Sequence, residues 1–164
     1  MAVPYLTTIL DLYSRRIVGW TMSERIDGEL TLAASQMALQ QRQPLPGLIH
    51  HSDQGRQYTD RAYQTLLKNC GFQISMNGVG TWYDNAPMGS FFGTLKSELI
   101  YLCTYPTRNE VRASVFSYIE AFYNRRRRHS ALDYLSSDAY EQRYYQQPEL
   151  RLAPCPQHQG RSLF

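Results

Sequence analysis

The sequence predicts an α/β fold in which helices flank a mixed sheet. Three observations predict it. Residues 3–12 and 17–22 are rich in β-branched and apolar side chains, and the polar Tyr13-Ser14-Arg15-Arg16 between them reads as a hairpin turn. Helical and strand periods then alternate as far as residue 76. Two further helical stretches complete the order hairpin, helix, strand, helix, strand, helix, helix.

Each element has its own local reason. From Gly28, the residues Leu30, Ala33, Ala34, Met37 and Ala38 fall at helical spacing, and the helix should stop before Pro44. Residues 47–50 read as a short buried strand running up to Asp53. Asp60 is placed to cap a second helix, with Tyr63, Leu66 and Leu67 on its apolar face and Gly71 just past its end. Residues 72–76 alternate as a strand, and residues 77–80 are loop. A helix is expected from near Asn85, with Pro87 in its first turn, to about Cys103. A longer one is expected from Thr107 to about Arg125, with Val111, Val115, Tyr118, Ile119 and Phe122 in one apolar stripe. The last stretch, from Pro148 on, is polar, proline-bearing and aperiodic. The expected organisation is a catalytic-type core over residues 1–135 and a partly disordered tail over residues 136–164.

With 164 residues the chain can form one domain with a real core. A net charge of +3 and a pI near 8.8 point only weakly to an anionic partner. Cys70, Cys103 and Cys155 are odd in number and match no metal-site spacing, which suggests free thiols in a reducing compartment. The start lacks the charged and apolar regions of a signal peptide, and no apolar run approaches the ~20 residues of a membrane span. The expected location is the cytoplasm, with no membrane partner.

Read residue by residue, the candidate metal ligands are Asp11 at a strand end, His50, His51 and Asp53 after another strand, Asp84 before a helix and Glu98 within it. Carboxylates at strand ends in α/β folds commonly line a site. The competing reading is structural: such an Asp often forms a turn or caps a helix, and adjacent histidines on a strand point to opposite faces. Arg15-Arg16 and Arg125-Arg126-Arg127-Arg128-His129 are basic runs, either solvated surface or contacts to an anion.

Four segments occur in order: Leu10-Asp11-Leu12-Tyr13-Ser14-Arg15-Arg16-Ile17-Val18-Gly19-Trp20; His50-His51-Ser52-Asp53-Gln54-Gly55; Tyr83-Asp84-Asn85-Ala86-Pro87-Met88; and Phe122-Tyr123-Asn124 through Arg128-His129-Ser130-Ala131-Leu132. Together they resemble the second-reading-frame transposases of bacterial insertion sequences, over roughly residues 5 to 140. The resemblance implies a ribonuclease-H-like core of the retroviral-integrase type. It also implies metal-dependent phosphoryl transfer on DNA with Mg²⁺ (or Mn²⁺), and the transposon ends and target as partners. Such cores work as multimers, so self-association or association with a full-length transposase is implied too.

The resemblance assigns the second of three metal-holding carboxylates to Asp53. The third is expected 35 intervening residues later, at position 89, where this chain has Gly89. Glu98 lies nine residues further on, about 180° around the helix and ~13 Å along it, and does not replace it. The first carboxylate belongs to an earlier strand of the family's pattern. Asp11 then matches a hairpin turn, and the central first strand is expected to be missing. The alternative is that Asp11 serves directly. Residues 3–12 either fill the vacant place or leave exposed edges. Lys96 shares the helix face of Gly89 and matches the family's DNA-contacting basic residue. With Arg125, Arg126, Arg128 and His129 it forms the candidate DNA surface. Two departures, the neutral residues 77–80 and Ser136-Ser137 in place of Ser-Pro, accompany the loss at position 89. The expected function is a catalytically inactive transposase core, or alternatively a non-catalytic DNA-binding or multimer-poisoning partner of an intact transposase.

Overall fold

A computed structural model describes residues 4–52, 55–76 and 86–147 and the short strand at residues 162–163. Strands β1 (Tyr5–Leu10) and β2 (Ile17–Ser23) form the antiparallel hairpin, registered from Tyr5↔Ser23 to Leu10↔Ile17 with an irregularity at Ile9/Leu10. The turn closes through the Asp11 N–H, which donates to the Arg16 carbonyl at 2.8 Å. Arg15 takes a positive φ of 58° there.

Strand alternation decides what the hairpin covers. Ile9 and Val18 face one core with Ala34 and Ala38 of α1 (Gly28–Arg42) and Tyr63 and Leu67 of α2 (Arg61–Asn69). Leu10 and Ile17 face the opposite core, with Phe91 and Leu95 of α3 (Ala86–Glu98) and Val111 and Val115 of α4 (Arg108–Ser117). The hairpin is thus sandwiched between helices. Each fully buried Leu, Ile or Phe contributes roughly 1.5–3 kcal/mol by leaving water. Helix α1 approaches β2 closely because position 19 is glycine: a Cβ there would lie 2.2 Å from the Ala34 carbonyl oxygen and 3.0 Å from the Ala38 Cβ.

Aspartates open the first two helices, the second of them at the cap read from the sequence. Asp27 caps α1, accepting from the Leu30 N–H at 3.0 Å, and Asp60 caps α2 through the Ala62 and Tyr63 N–H groups. Strand β3 (Ile49–Ser52) runs parallel to β4 (Gln73–Met76), from Ile49↔Gln73 to Ser52↔Met76. On its other edge β3 pairs with β5 (Ser162–Leu163), also in parallel. Residues 3–12 therefore do not slide over to β3: the described part of β1 pairs with β2 alone, and a short C-terminal strand takes the edge of β3. The reason is the tight Tyr13–Arg16 turn, which commits β1 to its sequence neighbour.

Two expectations about helix extent are corrected, and one helix is added. Helix α3 ends at Glu98 and continues only as a 3₁₀ turn over Ile100–Leu102, leaving Tyr101 and Leu102 exposed. Helix α4 stops at Ser117 and passes into a π-helical segment, Tyr118–Tyr123. There the Asn124 N–H donates to the Ile119 carbonyl at 3.1 Å, five residues back. The extra residue in that turn rotates the stripe, so Phe122 is 41% exposed while Tyr123, at 4%, enters the core beside Phe91. Lastly, a fifth helix, α5 (Ser137–Gln146), lies within the segment read as tail. The Ser136 hydroxyl caps it by accepting from the Ala139 N–H at 3.2 Å.

Cys70 is half-buried and Cys103 exposed, both as free thiols; Cys155 lies outside the described residues. No described helix is long and apolar enough to cross a membrane.

Candidate functional site

Helix α3 divides cleanly by face. Phe91 and Leu95 are buried, and Thr8 of β1 donates its hydroxyl to the Met88 sulfur at 3.1 Å, fixing the helix across the hairpin. Gly89, Gly93 and Lys96, spaced four and three apart, share the exposed face. A Cβ built at Gly89 meets nothing within 4 Å. The position has room for a side chain but carries no ligating atom. Lys96 forms no ion pair among the described residues, so its ammonium is presented to solvent on the same face.

The histidines of β3 divide between faces as alternation requires. His50 is buried and shares a hydrogen bond with the Tyr63 hydroxyl of α2. Burial first, and then the neighbouring His51, pull its pKa down to about 4, so it is neutral at pH 7. His51 hydrogen-bonds through Nδ1 to the Ser75 hydroxyl at 3.1 Å, across the β3–β4 pair. Asp53, the residue assigned as second carboxylate, lies outside the described residues just beyond β3. Asp84 does so too, just before α3.

Asp11 and Glu98 are committed elsewhere. Asp11 is buried at the end of β1, accepts from the Tyr13 N–H at 2.9 Å and pairs with Arg42 at 3.2 Å. Burial raises its pKa despite Arg42 and the turn N–H groups. Arg42 also pairs with Glu141 of α5, and Arg16 reaches Asp138 and Glu141. Burial opposes the ionisation of Glu141, but the Arg42 hydrogen bond outweighs it and holds the carboxyl below its ordinary value. Asp11 is therefore one member of an ionic group that ties the hairpin turn, the end of α1 and α5 together. Glu98 accepts from the Tyr118 hydroxyl at 2.7 Å and from Arg127 Nη2 at 3.1 Å. Though partly buried, it is lowered in pKa by those hydrogen bonds.

The basic run separates into unlike members. Arg125, Arg126 and Arg128 are exposed, Arg127 is held by Glu98 and lies 5.8 Å from the Tyr123 ring centroid, and His129 is buried. The run meets the first turn of α3: Arg15, Ala86, Pro87, Ser90, Arg128 and His129 are among the residues lining a cleft of about 510 Å³. Sequence reasoning passed over Arg15 as a site residue, and passed over Asn124, which sits at the base of this segment. Asn124 is 1% exposed and its side-chain amide pairs with both backbone groups of Ile17, accepting at 2.9 Å and donating at 3.0 Å. The signal available was the position of Arg15 in a turn that needs a left-handed residue, and of Asn124 directly after an apolar stripe.

Among the described residues no three His, Cys, Asp or Glu side chains are grouped to hold a metal ion. Gly89 adds no donor, Asp11 is paired with an arginine, and Glu98 is held by Arg127 and Tyr118. The described side chains do not fit a two-metal carboxylate site of the kind that positions attacking and leaving oxygens.

Comparison with known proteins gives concordant matches. Residues 2–81 and 89–144 each match an integrase core domain family. The chain is 47% identical over 137 residues to the transposase for insertion sequence element IS904 of Lactococcus lactis, covering 84% of this chain and 54% of that protein. It is 45% identical over 142 residues to a 31 kDa protein of insertion element IS600 from Shigella sonnei, covering 87% of this chain and 52% of the relative. Transposase InsF for IS3A of Escherichia coli is 44% identical over 137 residues, covering 84% of this chain and 48% of its own length. The chain thus spans about half the length of the curated relatives it matches. Among solved structures, a chain of the simian T-cell lymphotropic virus intasome in complex with the B56 gamma regulatory subunit of PP2A superposes with a TM-score of 0.57. At 14% identity over 70% of this chain and 41% of that one, this likeness concerns the fold.

Proposed function

Because this chain belongs to the insertion-sequence transposases built on an integrase core, we propose that it binds DNA, the transposon ends and target, without itself cutting or joining strands. The fold is the ribonuclease-H-like α/β arrangement that these proteins share with retroviral integrases. Integrase cores use divalent metal ions, Mg²⁺ or Mn²⁺, and the resemblance places one carboxylate at Asp53 and another at position 89. The observation that carries the inactive reading is Gly89. It stands on the exposed, open face of α3 and has no oxygen to offer. Neither Asp11 nor Glu98 is a free substitute, since each is engaged by an arginine.

Lys96 on the Gly89 face and the exposed Arg125, Arg126 and Arg128 support the binding half of the reading, with His129 beside them. Phosphate contacts by such side chains supply sequence-independent, salt-sensitive affinity. A cytoplasmic location, where bacterial DNA lies, goes with this reading.

The test is incubation with DNA carrying element ends and with Mg²⁺ or Mn²⁺, followed by separation of nicked and joined products. None is expected. Metal-dependent products that disappear in Asp53→Asn overturn the inactive reading.

A second reading, association with itself or with a full-length transposase that it poisons, is favoured by Tyr101 and Leu102, which are 74% and 73% exposed, and by Phe116. Co-expression with a full-length relative should yield mixed oligomers. Recovery of neither partner with the other removes this reading.

A further inference from the structure

We propose that the cleft between the β1–β2 turn, the first turn of α3 and the segment after Tyr123 is a binding site for one backbone phosphate of DNA, gripped by Arg15, Arg128 and His129. The proposal rests on the DNA-binding reading above and deepens it. It adds Arg15 and the start of α3 to the surface and turns a diffuse basic run into a discrete site.

Four observations carry it. Among the described residues the lining holds Arg15, Arg127 and Arg128 and no carboxylate, so this part of the cleft is positive. Arg127 is neutralised in part by Glu98, whereas Arg15 and Arg128 make no ion pair among the described residues. Their guanidiniums are available for the bidentate geometry that suits a phosphate. Ala86, Pro87 and Ser90 bring in the positive end of the 13-residue α3. Finally His129, only 9% exposed, lines the cleft, and its buried Nε2 has no hydrogen-bond partner among the described residues. A buried, unpartnered ring nitrogen is costly unless something is bound there.

The electrostatics agree. Burial, then Arg127 and Arg15, pull the His129 pKa down to about 4; the hydrogen bond its ring donates to the Tyr123 backbone carbonyl and the charge of Glu98 act the other way. Tyr123 packs edge-on against the ring at 5.0 Å between centroids. A bound phosphate cancels the arginines' repulsion and accepts from a protonated Nε2, so occupancy should raise the His129 pKa. At about 510 Å³ the cleft has room for a phosphodiester with its flanking sugars.

The test uses the whole chain, a short labelled duplex, inorganic phosphate and a polyglutamate competitor. Duplex affinity is measured by anisotropy over a range of salt, and the His129 ring resonances are followed by NMR against pH. The variants are wild type, the double variant Arg15→Gln/Arg128→Gln, and Lys96→Gln, with urea midpoints confirming that each is folded. The double variant should bind duplex roughly tenfold more weakly, with the slope of log K against log salt reduced by about 0.9 for one lost phosphate. Duplex should raise the His129 pKa by a unit or more in wild type and Lys96→Gln, and not in the double variant. If the double variant binds duplex as wild type does and His129 does not respond, the cleft is not a phosphate site, while the DNA-binding reading stands. If wild type binds no duplex but inorganic phosphate shifts His129 through Arg15 and Arg128, DNA is overturned as the source of the phosphate. Polyglutamate displacing duplex at equal charge concentration shows a general anion patch and overturns the proposal.

Discussion

Replacing Asn124 by alanine should be among the most damaging single changes in this protein, although the residue belongs to no catalytic set. Its side-chain amide does for Ile17 what a neighbouring strand would do. It accepts from the Ile17 N–H at 2.9 Å and donates to the Ile17 carbonyl at 3.0 Å, where Ile17 is 1% exposed. Its own carbonyl accepts the Asp138 N–H at 3.0 Å, which ties the start of α5 to the same point. Asn124→Ala removes both side-chain bonds. Each stranded backbone group costs about 1–3 kcal/mol, so the substitution should cost about 2–6 kcal/mol. Against a total stability of roughly 5–15 kcal/mol that is a large fraction. Asn124→Asp keeps the size and one acceptor but sets a carboxylate oxygen against the Ile17 carbonyl in a buried site, so it should be at least as harmful. Urea unfolding followed by circular dichroism measures both. A loss below about 1 kcal/mol for Asn124→Ala would refute the reasoning, because it would mean that the Ile17 groups find other partners at little cost.

Further outcomes follow from the same contacts. Gly89→Glu should stabilise the protein by about 0.5–1 kcal/mol in thermal or urea unfolding, since the position is helical, exposed and free of steric conflict; a destabilised variant contradicts that geometry. The His50 pKa is depressed in the folded state from 6.5 to about 4. The unfolded chain therefore takes up a proton that the native one refuses, and stability falls as pH drops through that window, by about 3 kcal/mol. Urea midpoints at neutral and acidic pH should converge between wild type and His50→Gln; an equal acid loss in both removes the burial account. Arg42→Met should cost about 2–4 kcal/mol by leaving Asp11 without its counter-charge and Glu141 with only Arg16, at 3.6 Å. Adding Asp11→Asn should recover part of that loss, so strict additivity in the double-mutant cycle refutes the shared ionic group. Tyr123→Ala should cost about 3–5 kcal/mol and Phe122→Ala under about 1 kcal/mol, the reverse of what an uninterrupted α-helix would give, and comparing their unfolding midpoints decides it.

By itself the sequence determined features whose causes lie within a few residues. Asp60 caps a helix because a short side-chain oxygen reaches N–H groups two or three positions on. Ile9 and Val18 face one core and Leu10 and Ile17 the other because strands alternate. The ordered motifs pointed to the family, and the spacing from Asp53 put Gly89 where that family's pattern calls for a carboxylate. Only the tertiary structure decided the rest, since its causes are contacts between distant segments. A π-helical turn exchanged Phe122 for Tyr123 in the core, a choice set by packing against Phe91, which no local period encodes. Asp11 became the partner of Arg42 and a neighbour of α5, segments about thirty and a hundred and thirty residues away. Arg15, His129 and the start of α3 came to line one cleft because the hairpin turn and the end of the π-helical segment fold onto the same side of α3. Ion pairs and shared clefts follow from where chains meet, and that is fixed by the whole core rather than by any window of sequence.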